Sequence, residues 1–191
     1  MKKVLTVICV LCMTALAASA QKGWFIDAGL GSNFNANANG FSGCGIGAQG
    51  GFGYMFNEAI GVRATAQLGI GSATPDAGTG NAWFIDGRHI RGAVAGDFLW
   101  DIIGTFSEGK GFYRILPYVR LQETFGTKRG ATAFSFGFGG GIRQVFYLVP
   151  TDKTFGIIVD VNAVGASEKP WYGGKGMMCL AQATVGVVYH F

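Results

Sequence analysis

The sequence predicts an all-β protein, an eight-stranded antiparallel transmembrane β-barrel with a polar lumen and an apolar exterior. Composition is the first indication, because 33 Gly and 16 Phe stand beside only 14% charged residues, and few segments are suited to a helix. From residue 21 onward there is no run of about 18 apolar residues, the length that a membrane-spanning helix requires. The strongest indication is a two-residue alternation of apolar and polar side chains, which is typical of strands with two different faces.

Residues 1–20 are predicted to form a secretory signal peptide. Two lysines precede the apolar residues 4–16, and the small residues 18–20 form a suitable cleavage site. Cleavage is expected after Ala20. No linker or change of composition marks a second domain, so residues 21–191 are predicted to form a single β-barrel domain.

The alternation divides the remaining chain into eight segments of about the length of a tilted membrane strand, roughly 9–11 residues plus the rims. An even number suits a closed antiparallel barrel that begins and ends on one side. The segments are 23–32, 44–56, 59–71, 88–101, 112–124, 132–146, 153–165 and 178–191.

Large apolar side chains collect on one face of these segments. In segment 59–71, for example, Val62 and Leu68 alternate with Arg63 and Gln67. An eight-stranded barrel encloses room only for packed side chains, and sixteen-odd aromatic residues would not fit inside it. We therefore expect the apolar face to point outward to lipid, whereas a soluble barrel of the lipocalin type would have its apolar face inside.

The predicted inward face carries four carboxylates and four arginines. A buried charge without a partner is strongly unfavourable, so we expect these side chains to form an ion-pair network that fills the lumen as a plug rather than a pore. The charged residues are Asp27, Asp97, Asp101, Asp160, Arg63, Arg91, Arg120 and Arg143, and the amides expected to join them are Gln49, Gln67, Gln122, Asn162 and Gln182.

The connections follow from the order of the segments. If both termini lie on the periplasmic side, residues 57–58 form a tight two-residue turn there, and 102–111 and 147–152 form the other periplasmic turns, with a strand extension or a short amphipathic turn near 102–106. The external loops are then 33–43, 72–87, 125–131 and 166–177. The last loop contains candidates for contact with a partner or with lipopolysaccharide, which alternatively fold back onto the barrel rim: Lys169, Trp171, Tyr172 and Lys175.

Cys44 and Cys179 are expected at the upper ends of strands separated by one strand. Two strand spacings are about 9–10 Å, and a disulfide needs Cα atoms within about 7 Å. A disulfide therefore requires that the strand ends approach each other, and two separate thiols are the alternative.

Other residues with chemical potential have simpler interpretations. Residues 45–50 match G-x-G-x-x-G, but a strand rather than a helix follows them, so they are interpreted as lumen glycines. His89 and His190 lack neighbours that would form a hydrolytic or metal site. The sequence thus predicts no catalytic residues, no metal and no cofactor.

The chain resembles the small outer-membrane β-barrel proteins of Gram-negative bacteria, a porin-like family also described as the outer membrane protein beta-barrel domain. The resemblance is carried by GWFIDAGLG in the first strand, GYMFNEAIGVR across the first turn and the aromatic-ended ATVGVVYHF. The architecture is similar to the transmembrane domain of outer membrane protein A. Outer membrane protein A continues into a peptidoglycan-binding domain, and the resemblance covers only its barrel.

The resemblance implies a location in the bacterial outer membrane, among its lipids and lipopolysaccharide. It also implies that the last strand is a sorting signal for the barrel-assembly machinery, through Val185, Val187, Tyr189 and Phe191. A formal net charge of only +4 gives no indication of a nucleic-acid partner. No oligomeric state is predicted.

The favoured function is a structural or surface-interaction role without enzymatic activity and without an open pore. Three alternatives stay open at this point: a lipid-modifying enzyme of the outer membrane, a porin for small solutes, and a secreted ligand-binding barrel.

Overall fold

The computed structural model describes residues 22–37, 40–73, 89–107, 111–128, 131–149, 153–167 and 177–191. They form a closed barrel in which the strands follow one another in chain order, so the predicted fold class is confirmed. The strands are β1 (Gly23–Asn37), β2 (Gly40–Met55), β3 (Ile60–Ala73), β4 (His89–Trp100), β5 (Tyr113–Lys128), β6 (Ala131–Tyr147), β7 (Phe155–Ser167) and β8 (Met177–His190). The predicted signal peptide lies outside the described residues.

Every strand pairs antiparallel with its neighbours on both sides. The first and last strands close the sheet through a ladder that runs from Phe25 opposite His190 to Ala36 opposite Cys179. A closed sheet has no edge strand, so backbone N–H and C=O groups along the strands find partners within the barrel. We call the end that carries Gly23 and His190 the lower end.

Several strands extend further at the upper end than the sequence predicts. β1 continues to Asn37 and β5 to Lys128, so the predicted loops 33–43 and 125–131 are largely strand. The cause is the ladder itself, which continues beyond the apolar band with Lys128 still opposite Ala131. Polar residues at these strand ends interrupt the alternation of apolar and polar side chains, but they do not interrupt the backbone hydrogen bonds between strands.

The lower connections also differ from the prediction. The first turn spans 56–59 instead of two residues, because the Asn57 side-chain oxygen accepts hydrogen bonds from the backbone N–H groups of Ala59 and Ile60, each over 2.8 Å. After β4 the chain forms a short helix, α1 (Ile102–Ser107), where a strand extension or a turn was predicted. Within the part of the chain that the structure describes, no helix is long and apolar enough to cross a membrane.

The side chains alternate between the outside of the barrel and its lumen. Val62 is 39% exposed, Phe136 62% and Ile157 40%, and all three point outward, as predicted. The neighbouring Ile158 is fully buried inside. The predicted orientation, with the large apolar residues outside, is therefore confirmed.

The lumen is less uniformly polar than predicted. An apolar cluster fills its lower part, because several large apolar residues occupy inward positions on the same strand faces as the charged ones. Its members are Phe25, Met55, Leu99, Leu116, Tyr118, Val145, Tyr147, Ile158 and Val188. A smaller inward cluster lies on the upper parts of β7 and β8: Val164, Ala166, Met178 and Leu180.

Candidate functional site

Six buried charged side chains meet inside the barrel, and we call them the charged layer. Strand register brings them together, since Asp97 of β4 is opposite Arg63 of β3 on one side and Arg120 of β5 on the other. On the far wall Arg143 is opposite Asp160. The members are Asp27, Arg63, Asp97, Arg120, Arg143 and Asp160, each 6% exposed or less. Three carboxylates thus face three guanidinium groups.

Arg63 is the centre of the charged layer. Its Nε donates a hydrogen bond to Asp97 Oδ2 over 2.8 Å. Its Nη2 lies 2.8 Å from the same oxygen and 2.9 Å from Asp160 Oδ2, close enough for ion pairing although not aligned for hydrogen bonds. Its Nη1 lies 3.7 Å from Asp27 Oδ2. One guanidinium therefore contacts all three carboxylates.

The other two arginines each bind one carboxylate closely. Arg120 donates to both oxygens of Asp97, from Nε over 2.6 Å and from Nη2 over 2.9 Å, the bidentate geometry that suits a guanidinium. Arg143 donates from Nη1 to Asp27 Oδ2 over 2.7 Å. Every charged group of the layer therefore has a partner of opposite charge.

Tyr118 supports the charged layer and was missed by the sequence analysis. Its hydroxyl donates a hydrogen bond to Asp160 Oδ1. The guanidinium carbons of Arg63 and Arg120 lie 5.1 and 5.2 Å from the centre of its ring, within the range of cation–π contacts. Its position two residues before Arg120 on the same strand face was the available signal.

Glycines leave the room that the charged and aromatic side chains occupy. A Cβ atom added to Gly51 would lie 2.6 Å from Asp27 Oδ1, and one added to Gly141 would lie 2.7 Å from the Tyr118 ring. Both distances are too short for nonbonded atoms. The sequence is therefore glycine-rich on its inward faces where large polar groups must fit.

Amides and hydroxyls contribute further contacts within the lumen. Gln67 donates to Gln49 over 3.1 Å and Asn162 donates to Gln182 over 3.4 Å, in both cases across neighbouring strands. Gln122 donates to the hydroxyl of Thr124 over 2.9 Å on its own strand. The predicted amides therefore point inward, but their hydrogen bonds are mainly with one another.

Arg91 lies apart from the charged layer, contrary to the sequence prediction. It is six residues from Asp97 along β4, a separation of about 20 Å in an extended strand. There its side chain is partly exposed and donates to Asn35 Oδ1. Inward parity identified the correct face, but the height along the strand decides which groups meet.

Asp101 also lies outside the charged layer, because it follows the end of β4. Its Oδ1 accepts a hydrogen bond from the backbone N–H of Gly104 over 2.7 Å, which makes it the N-cap of α1. Its Oδ2 lies 3.5 Å from Nη1 of Arg114. Arg114 was not among the predicted residues, although it shares the inward face of β5 with Arg120.

Burial raises the pKa of the Asp101 carboxyl from 3.8 to about 6. The hydrogen bond from Gly104 and the positive charges of Arg114 and Lys153 act in the opposite direction and are weaker. The folded protein therefore keeps a proton on Asp101 at a pH where the unfolded chain has lost it. The stabilising effect of this proton is complete below about pH 4 and declines as the pH rises to about 6.

Among the residues that the structure describes, the remaining candidates form neither a disulfide nor a group of metal ligands. No disulfide joins Cys44 and Cys179, which pair with β1 from opposite sides. His190 Nε2 lies 3.2 Å from the Tyr147 hydroxyl inside the lower end of the barrel, whereas the side chain of His89 is outside the described set. Residues 45–50 lie wholly within β2. Groups of three or more potential metal ligands do not occur among the residues described.

The candidate loop contacts, Lys169, Trp171, Tyr172 and Lys175, lie outside the described residues. The outward face of β8 is described, and it is apolar and exposed. Its members, which the sequence analysis singled out, are Val185, Val187, Tyr189 and Phe191, with exposures of 59%, 42%, 42% and 71%.

Aromatic side chains surround the lower end of the outer wall. Trp24 stacks on Phe52 with ring centres 4.8 Å apart, and it contacts Tyr54 edge to face at 4.7 Å. Tyr189 and Phe191 form a second pair at 5.3 Å. The backbone N–H of Phe191 donates to the carbonyl of Trp24 over 2.9 Å, which brings the two groups to the same height.

Comparisons with solved structures agree on the fold. The chain is similar to Neisserial surface protein A (NspA), with a TM-score of 0.61 and 10% identity over 91% of this chain and 100% of that one. It is also similar to Ail, the attachment invasion locus protein of Yersinia pestis, with a TM-score of 0.52 and 13% identity over 90% of this chain and 100% of that one. The outer membrane protein OprG from Pseudomonas aeruginosa gives a TM-score of 0.50 and 11% identity over 90% and 98% of the two chains.

At these identities the similarity establishes a shared eight-stranded barrel fold. No family model matches the chain. A search of curated proteins also finds no significant match.

Replacing Arg63 by Met should lower the free energy of unfolding by about 3–5 kcal/mol, because three buried carboxylates would lose their shared cation. The measurement is the urea unfolding midpoint of the folded barrel in detergent micelles. Lys22→Met, which removes an exposed lysine, is the control and should leave the midpoint unchanged. Equal midpoints for wild type and Arg63→Met would show that the charged layer does not stabilise the fold.

Replacing Asp101 by Asn should remove one component of the pH dependence of stability. Asn keeps an oxygen for the helix cap but cannot titrate. Between pH about 4 and about 7, the wild type should lose on the order of 1–3 kcal/mol more unfolding free energy than the variant. Urea unfolding at both pH values measures this difference, and an identical pH dependence in the two proteins would contradict the raised pKa.

Proposed function

We propose that the chain is an integral protein of the bacterial outer membrane, exported by the signal peptide at residues 1–20. Its barrel serves a structural or surface-interaction role and is neither an enzyme nor an open pore. The observation that carries this proposal is the combination of an apolar outer wall with a lumen filled by paired charges. A water-soluble barrel would need the opposite arrangement.

The outer wall supports the membrane location. Large apolar side chains such as Leu30, Leu68 and Phe138 are 60–72% exposed. In water this would be an unfavourable surface and a cause of aggregation. In a bilayer it is the required one, and the aromatic residues around Trp24 and Tyr189 match the girdle that such barrels place at the membrane interface. Outer-membrane lipid and lipopolysaccharide are therefore the proposed surroundings of this wall.

The filled lumen supports the proposal that the barrel is not an open pore. Arg63, Arg120 and Asp160 are at most 2% exposed, and below them the apolar cluster around Phe25 and Leu99 occupies the lumen. An open path would require the ion pairs of the charged layer to be broken, and a buried ion pair is sensitive to such a change, since removing one partner costs about 3–5 kcal/mol. The charged layer thus has the arrangement of a structural plug.

Current recordings across a planar bilayer test this closed state. We predict that the purified protein produces no steady conductance steps at moderate voltage, because the charged layer and the apolar cluster occupy the lumen in the part of the chain that the structure describes. An open general porin in the same bilayer is the positive control. Reproducible steps of one size from the protein would overturn the structural role in favour of a small-solute pore.

The outward face of β8 supports recognition by the barrel-assembly machinery. Alternate residues up to Phe191 present only apolar and aromatic side chains to the outside. Such a strand is readable before the barrel closes, because its free edge and its apolar face are both accessible. We therefore assign to Val185, Val187, Tyr189 and Phe191 the role of an assembly signal.

A Tyr189→Ala, Phe191→Ala double variant tests this role in cells. It should reduce, by severalfold, the amount of protein that fractionates with the outer membrane and shows heat-modifiable gel migration. The matched control is Phe134→Ala, Phe136→Ala, which removes two exposed aromatic side chains from β6. Equal losses in both variants would mean that β8 carries no special signal, and wild-type protein in a soluble fraction would overturn the membrane location.

A further inference from the structure

A groove runs along the outer wall across β2, β3 and β4. Its floor is made of small residues, Gly50 opposite Ala66 and Ala64 opposite Gly96. A Cβ atom added to Gly96 would meet no other atom within 4 Å, so the space above the floor is open. The groove has a volume of about 720 Å³, within the range of sites that bind small molecules.

Large apolar side chains border the groove at its ends. Phe52 lies at the lower end, next to the aromatic residues around Trp24. Leu121 and Phe136 lie toward the upper end. The walls and floor are therefore almost entirely hydrocarbon, which suits an acyl chain and offers nothing to a charged or sugar-like ligand.

One carboxylate interrupts this apolar surface. Glu123 borders the groove on β5, opposite Val94 of β4 and Phe136 of β6, both of which point outward. Among the strand side chains that the structure describes, it is the only charged one on the outer wall, and no described group donates a hydrogen bond to it. Ionisable groups that face lipid are unfavourable and mark functional sites.

The height of Glu123 indicates which part of a lipid it meets. Trp100 ends β4 at the lower end of the barrel. Val94, which is opposite Glu123, is six residues above Trp100 along β4. This separation corresponds to about 15 Å along the barrel axis in a strand tilted by about 40°. Phe125, two residues above Glu123, pairs with Phe134 at 6.5 Å and lies close to the upper rim. In an apolar band about 25 Å tall, Glu123 is therefore in the upper half, below the headgroups and near the first carbons of the acyl chains.

At that depth a membrane lipid can present an amide N–H at the start of an acyl chain as a hydrogen-bond donor. We infer that the groove binds one acyl chain of an outer-leaflet lipid whose chain is amide-linked, and that Glu123 accepts a hydrogen bond from the amide. The oxygens of the Glu123 carboxylate accept hydrogen bonds and therefore complement a donor, whereas an ester-linked chain presents only acceptors there. This inference rests on the proposed membrane location and adds a lipid preference to it.

The test uses the wild-type protein in nanodiscs with equal amounts of sphingomyelin and phosphatidylcholine of matched chain length. Both probes carry phosphocholine, but only sphingomyelin has an amide N–H and a hydroxyl beside its chain. Native mass spectrometry counts the lipids that stay bound after release from the nanodisc. We expect about a tenfold excess of bound sphingomyelin, the ratio that one hydrogen bond to a charged group provides.

Two variants separate the groove from the carboxylate. Glu123→Leu should abolish the preference while either lipid still binds. Gly96→Leu places a side chain in the groove from a position where its Cβ would meet no atom within 4 Å, and it should reduce binding of both lipids severalfold. Ala163→Leu, which adds the same bulk on the outer face of β7, is the matched control and should leave binding and preference unchanged.

The inference is overturned if the ratio of bound sphingomyelin to bound phosphatidylcholine is the same for the wild type and Glu123→Leu. It is also overturned if Gly96→Leu binds as much lipid as Ala163→Leu. A wild-type dimer that Gly96→Leu converts to a monomer would overturn it in favour of a second copy in the groove. Heat-modifiable migration of the same samples separates the two proposals. A folded, inserted barrel without lipid preference refutes only the groove, whereas failure to insert refutes the membrane location itself.

Discussion

Closure of the sheet is the constraint on which the rest of the structure depends. Because β1 pairs with β8 as well as β2, the ladders satisfy the backbone groups of the strands without help from solvent. Only then can large apolar side chains cover the outer wall and charges occupy the interior. The aromatic residues at the lower end, the closed lumen and the groove beside Glu123 are all consequences of this inverted arrangement.

The charged layer places three carboxylates and three guanidinium groups at positions that are 6% exposed or less. Arg63 alone contacts Asp27, Asp97 and Asp160, so the three carboxylates are held by a shared cation as well as by separate partners. Such a network costs desolvation and compensates for it through close geometry. It also favours one register of the barrel, since a one-residue slip of a strand that carries one of these charges would turn that side chain to the outside.

Much of this arrangement could be predicted from the two-residue alternation, which fixes the number of strands and the face on which each residue lies. Contacts within the lumen could not, because they depend on register and on height around a tilted barrel. Arg91 and Asp97 share a face but not a height, and Asp101 falls beyond the strand end, where a helix forms instead. Inward apolar residues such as Phe25 and Leu99 follow the same parity as the charged residues, so alternation alone does not separate an apolar part of the lumen from a charged one.

The central claim is that alternate side chains face lipid and lumen. Two pairs of identical residues that are consecutive in the sequence provide its most direct test. Ile157 and Val187 are 40% and 42% exposed, whereas Ile158 and Val188 are 0% and 1% exposed. The measurement is methyl NMR of the protein in lipid nanodiscs, with nuclear Overhauser contacts recorded between Ile and Val methyl groups and the lipid acyl chains. The account predicts contacts from Ile157 and Val187 and none from Ile158 and Val188. The reverse pattern, or equal contacts within each pair, would contradict it.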